Sequence, residues 1–94
     1  MVTPEHWVVH KFGGSSLADA DCFRRVASIV EALPAARVAL VLSACQGVTD
    51  QLLGLVAAAE AGELATSASA RAQLEQRHHA IASALLPAAA CERY

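Results

Sequence analysis

The chain has 94 residues, 55 % of them hydrophobic, and a net charge of −2, a composition that can bury apolar surface and therefore fold. Because Lys11 is the only lysine and the arginines are scattered, we predict no surface for nucleic acid or for an anionic membrane. No apolar run approaches the roughly 20 residues that span a bilayer, and the N-terminus lacks a signal-peptide pattern. Cys22, Cys45 and Cys91 are widely spaced, which favours reduced thiols and a cytoplasmic protein.

The first half of the chain predicts a β-α-β unit. Trp7–Phe12 is rich in aromatic and β-branched residues and stops at two glycines, which is typical of a strand. Asp19 or Asp21 can cap the helix that follows. A nearly continuous apolar run, Arg37–Ser43, is typical of a parallel strand buried on both faces. The helix between the strands has apolar residues at helical spacing and ends near a proline: Phe23, Val26, Ala27, Val30, Leu33 and Pro34.

The second half predicts helices. Thr49 or Asp50 can cap a helix through Ala61, with Gly62 as the residue that ends it. A third helix is predicted from Ser67 or Ser69 to Leu86, ended by Pro87, and Ala88–Tyr94 carries no clear signal. One face of that helix holds Leu74, His78, Ile81 and Leu85. The order indicates the α/β class, with a motif-bearing part at about 7–62 and a helical part at about 66–87.

The first candidate site is the segment K-F-G-G-S-S, residues 11–16, at the carboxyl end of the first strand. Ligands of open α/β sheets bind beyond the carboxyl ends of the strands. Gly13 and Gly14 allow close approach of the backbone to an anion and permit positive φ, and the Lys11 ammonium can reach a phosphate oxygen. The segment matches neither nucleotide-binding fingerprint, G-x-x-x-x-G-K-[ST] or G-x-G-x-x-G. By itself, Gly-Gly after a strand is more often a tight turn.

The second candidate site is S-A-C-Q-G-V-T-D, residues 43–50, after the second strand. Parallel strands present their carboxyl ends at one edge, so we expect Ser43 and Thr49 to approach the Gly13–Gly14 loop. Hydroxyls and the amides of a helix start favour a carboxylate. The alternative is a plain strand-to-helix turn with Thr49 as N-cap.

Together the two motifs resemble the opening of the aspartate kinases. Those enzymes begin with a strand ending in K-F-G-G-[TS]-S and continue into a strand ending in S-A-x-x-G-[VI]-T-[ND]. The resemblance covers roughly Val8 to Leu55. Related amino-acid kinases carry looser K-x-G-G-S variants. The resemblance implies the N-terminal part of a three-layer αβα kinase fold.

The resemblance also implies a reaction and roles for residues. The reaction would be transfer of the ATP γ-phosphoryl group to the side-chain carboxylate of L-aspartate, the first step toward lysine, threonine and methionine. Lys11 would act catalytically, with ATP phosphates held by Lys11, Phe12, Gly13, Gly14, Ser15 and Ser16. Ser43 and Thr49 would contact aspartate. Mg²⁺ would be needed, with ligands outside residues 1–94.

Aspartate kinase catalytic domains are several times longer, so we expect a fragment that is inactive alone. The remainder would be the rest of the kinase chain, or a fused enzyme of the same pathway, and the full-length protein would be a homo-oligomer. Two alternatives stay open: another amino-acid kinase, such as one similar to glutamate 5-kinase, and a small non-enzymatic module that binds an anion. His78–His79 is expected to be structural, with no metal bound.

Overall fold

The computed structural model describes residues 6–34 and 37–93. Within these residues the chain divides into two compact units, one ending at Gln46 and the other beginning at Gly47. Each unit is described by itself. In chain order the elements are β1 (Trp7–Phe12), a 3-10 turn (Gly14–Leu17), α1 (Ala20–Glu31), β2 (Arg37–Leu42), α2 (Val48–Glu60), α3 (Leu64–Leu85) and α4 (Ala88–Glu92).

The first unit is a β-α-β unit, as predicted. β1 and β2 pair in parallel, in a register that runs from Trp7 opposite Arg37 to Phe12 opposite Leu42. This arrangement confirms the α/β class. The parallel pairing places the carboxyl ends of both strands, and therefore both candidate motifs, at the same edge of the sheet.

A small apolar cluster holds α1 against β1. Phe12, Leu17 and Val26 form its buried centre, and Phe23 and Val30 of α1 pack against it. Leu17 is only 1 % exposed and lies at the end of the 3-10 turn, which the sequence pattern did not predict. The turn therefore anchors the loop after β1 by burying its last side chain.

The prediction that β2 is buried on both faces is wrong for this unit. Leu40, Val41 and Leu42 are 42 %, 49 % and 51 % exposed. The reason is that β2 has only β1 as a neighbour in the described sheet, and the buried cluster draws on β1 and α1. The apolar run was correctly interpreted as a parallel strand, whereas burial depends on elements that pack against it.

Asp19, the first of the two predicted caps, begins α1. Its carboxylate accepts a hydrogen bond of 2.9 Å from the backbone N–H of Cys22. That hydrogen bond holds the pKa of Asp19 below its usual value. Asp21 instead forms an exposed ion pair of 2.6 Å with Arg24. α1 ends at Glu31, a few residues before Pro34.

In the second unit, the prediction that Thr49 or Asp50 caps α2 is wrong. Gly47 is the N-cap, with φ of 83°, and no side chain caps the helix. Because the left-handed backbone at Gly47 starts the helix directly, Thr49 and Asp50 fall inside the first turn. At the other end, Gly62 (φ 77°) follows the helix as predicted. The amide of Glu63 donates to the carbonyl of Ala58 over 2.9 Å, which is the Schellman arrangement.

α3 begins earlier than predicted, at Leu64, because it follows the turn at Gly62 after a single residue, Glu63. Ser67, a predicted start, lies inside α3, where its hydroxyl donates to the carbonyl of Leu64 over 3.1 Å. α3 ends at Leu85, before Pro87, and α4 occupies residues that carried no signal. The predicted apolar face is confirmed: Leu74 is buried, and three residues are half-buried, His78, Ile81 and Leu85.

Among the described helices, none combines the length and the apolar character that crossing a membrane would require.

We predict that Asp19→Ala lowers the melting temperature, because the Cys22 amide loses its acceptor, whereas Asp19→Asn retains most of the cap. The folded-state pKa of Asp19 is depressed, so its carboxylate contributes stability above the unfolded pKa of about 3.9. That contribution is lost as pH falls through the lower folded pKa. Thermal melts followed by circular dichroism at pH 7 and at stepwise lower pH measure this. Identical melts for Asp19→Ala and the unsubstituted chain at pH 7 would contradict the cap.

Two glycines of the second unit should respond in opposite directions to alanine. Gly47 has φ of 83°, a conformation that costs an L-residue about 1–2 kcal/mol, so Gly47→Ala should destabilise the chain. Gly54 lies inside α2 with open space around it, so Gly54→Ala should stabilise the chain by about 0.5–1 kcal/mol. Urea denaturation gives both values. Equal free energies of unfolding for the two variants would show that the cap conformation is unimportant.

Candidate functional site

The two candidate motifs meet at the carboxyl edge of the parallel pair. We name residues 13–16 the first loop and residues 43–46 the second loop. The backbone N–H of Ser43 donates to the carbonyl of Phe12 over 3.0 Å, which continues the sheet by one hydrogen bond beyond β2. Gly14 of the first loop lies against the backbone of Ala44 and Gln46 in the second. The structure therefore brings Ser43 next to the first motif, as predicted.

The first loop offers exposed backbone. Gly13 is exposed and Gly14 is half-buried, and Ser15 and Ser16 follow in the 3-10 turn. Gly13 does not use the positive φ that a glycine permits: it is extended, with φ of −78° and ψ of 177°, and the positive-φ glycines of the described residues are Gly47 and Gly62. Gly13 therefore offers a ligand open space, since no atom lies within 4 Å of the position that a Cβ would take.

Lys11 and Phe12 have opposite roles in β1. Phe12 is buried and contributes to the apolar cluster, so only its backbone is available to a ligand. Lys11 is exposed, and no carboxylate of residues 6–34 or 37–93 lies within ion-pair distance of its ammonium group. The positive charge of Lys11, two residues before the first loop, therefore has no carboxylate partner within the described chain.

A thiol touches the first loop from α1. The Sγ of Cys22 lies 3.8 Å from the carbonyl oxygen of Ser15, while the Cys22 amide is held by Asp19. The start of α1 and the first loop are thus connected at one residue. Sequence reasoning missed this contact, because neither the spacing nor the residue type of Cys22 indicates it.

In the second loop, the only hydroxyl group is already hydrogen-bonded within the loop. The hydroxyl of Ser43 donates its hydrogen to the carbonyl of Ala44 over 3.1 Å. Its hydroxyl oxygen therefore remains available to a ligand as a hydrogen-bond acceptor. Cys45 is buried, in agreement with a packing role. Thr49 lies exposed in the first turn of α2, in the second unit, and its approach to the first loop stays a prediction.

The second unit contains a groove of about 840 Å³ between α2 and α3, lined by apolar side chains such as Val48, Leu52 and Leu74 and by polar ones such as Glu75 and His79. His78 lines the groove, but its Nδ1 lies 2.8 Å from the carbonyl of Leu74, one helical turn earlier. Across the described residues, no group of three or more His, Cys, Asp or Glu side chains is placed to hold a metal ion. The groove lacks the cations and exposed glycine backbone that a nucleotide phosphate requires.

Comparison with known proteins agrees with the motifs. The sequence model described as "Amino acid kinase family" matches residues 6–92. The chain is 38 % identical over 81 residues to the bifunctional aspartokinase/homoserine dehydrogenase 2 of Escherichia coli (strain K12), and the match covers 85 % of this chain and 10 % of that protein. The chain thus spans about a tenth of that relative's length. No solved structure is significantly similar. From its motifs, its parallel β-α-β unit and these matches, the chain belongs to the amino acid kinase family.

Proposed function

We propose that the chain is the N-terminal segment of an aspartate kinase, which transfers the γ-phosphoryl group of ATP to the side-chain carboxylate of L-aspartate. The observation that carries the proposal is the meeting of the two loops at one sheet edge, through the hydrogen bond between Ser43 and Phe12. The name of the E. coli relative, an aspartokinase joined to a homoserine dehydrogenase, supports the choice of aspartate within the family.

The reaction requires positioning and neutralisation of charge more than covalent chemistry. A carboxylate oxygen of aspartate forms a bond to the γ-phosphorus, the bond to the bridging oxygen of ADP breaks, and 4-phospho-L-aspartate and ADP result. No proton moves, because the nucleophile is already ionised. The enzyme must bring two anions together, so the protein helps mainly by positioning them and by placing a cation that neutralises their charge.

The residues of the first unit suit this task. Lys11 is an exposed cation without a carboxylate partner among the described residues, so its charge is available to the transferring phosphoryl group. The open space at Gly13 admits a phosphate to the backbone, with Ser15 and Ser16 following. Ser43, beside them, and Thr49, at the start of α2, would bind the aspartate. The Mg²⁺ ligands are expected beyond residues 1–94.

The setting of this activity is part of the proposal. The segment would work with the remainder of a kinase chain, in a cytoplasmic homo-oligomer, and its product would lead toward lysine, threonine and methionine. We propose no nucleic-acid partner and no membrane association for the segment.

A chimera tests the proposal directly. Residues 6–92 would replace the matching segment of the E. coli relative, and acyl phosphate formation from ATP would be trapped with hydroxylamine, using L-aspartate or L-glutamate as acceptor. We expect turnover with aspartate and none with the isolated 94-residue chain. Preference for glutamate would favour a kinase similar to glutamate 5-kinase. A folded chimera that binds ATP but transfers to neither acceptor would favour an anion-binding module.

Within the chimera, we predict that Lys11→Ala lowers kcat by about 100-fold or more and changes KM for ATP far less. The reason is that charge on the phosphoryl group changes most in the transition state, where a positioned cation acts. Arg25→Ala, which removes another exposed cation of the same unit, is the matched control and should keep kcat. Steady-state kinetics measure kcat and KM for both variants. Similar kcat values for the two variants would show that Lys11 is a surface charge without a role in catalysis.

We further predict that Thr49→Val in the chimera impairs aspartate use more than ATP use. A lost hydrogen bond costs about 0.5–1.5 kcal/mol, or about 1.5–3 kcal/mol when the partner is charged, which is a few-fold to about 100-fold in kcat/KM for aspartate. Because Gly47 is the cap of α2, the substitution removes no helix cap. Thr66→Val, at an exposed threonine in the first turn of α3, is the control. Equal loss for ATP and aspartate would exclude Thr49 from the aspartate site.

A further inference from the structure

We draw no further inference here: the strongest candidate, the apolar surface of β2 at which Leu40, Val41 and Leu42 are about half exposed beside β1 as the one neighbouring strand of the described sheet, is an unpartnered face, and nothing in the structure shows what covers it.

Discussion

The parallel pairing of β1 with β2 is the constraint on which the candidate site depends. Parallel strands end at the same edge, and here one further hydrogen bond, from the Ser43 amide to the Phe12 carbonyl, follows the last residue of β2. It joins the first residue after β2 to the last residue of β1, so the two loops begin side by side. An antiparallel pair would have placed the same two motifs at opposite edges of the sheet. The parallel pairing therefore allows the two motifs to contribute to one site.

The first unit achieves this arrangement with little buried surface. Its core consists of Phe12, Leu17 and Val26 with two partly buried neighbours, and fully burying a large apolar side chain contributes only about 1.5–3 kcal/mol. Leu40, Val41 and Leu42 have the apolar character to contribute but remain about half exposed. The 3-10 turn matters for this reason: by burying Leu17, it connects the first loop to the small core and limits how far the loop can move.

Local signals in the sequence predicted most of the elements, whereas the burial of β2, the cap of α2 and the 3-10 turn were missed. Trp7–Phe12, the cap at Asp19 and the turn at Gly62 each depend on a few adjacent residues, and all three are found in the structure. The cap of α2 was misassigned because a left-handed glycine and a capping threonine are both plausible starts, and Gly47 precedes Thr49. The burial of β2 could not be predicted from an apolar run, since burial depends on neighbours. For the site, topology correctly predicted that Ser43 lies beside the first motif, while the contact of Cys22 had no sequence signal.

The motif K-F-G-G-S-S therefore combines two physical requirements that a sequence pattern does not distinguish. In the proposed function, Lys11 would act through the charge at the end of a long, flexible side chain. Gly14 differs, because a Cβ added there would lie 3.3 Å from the carbonyl oxygen of Ala44, so a side chain at this position would require the backbone to shift. In the proposed reaction, whose catalysis would be mostly positioning, the geometry would come from the backbone of the two loops. That backbone is held by the hydrogen bond from Ser43 to Phe12 and by the close approach at Gly14, and the charge of Lys11 would act within it.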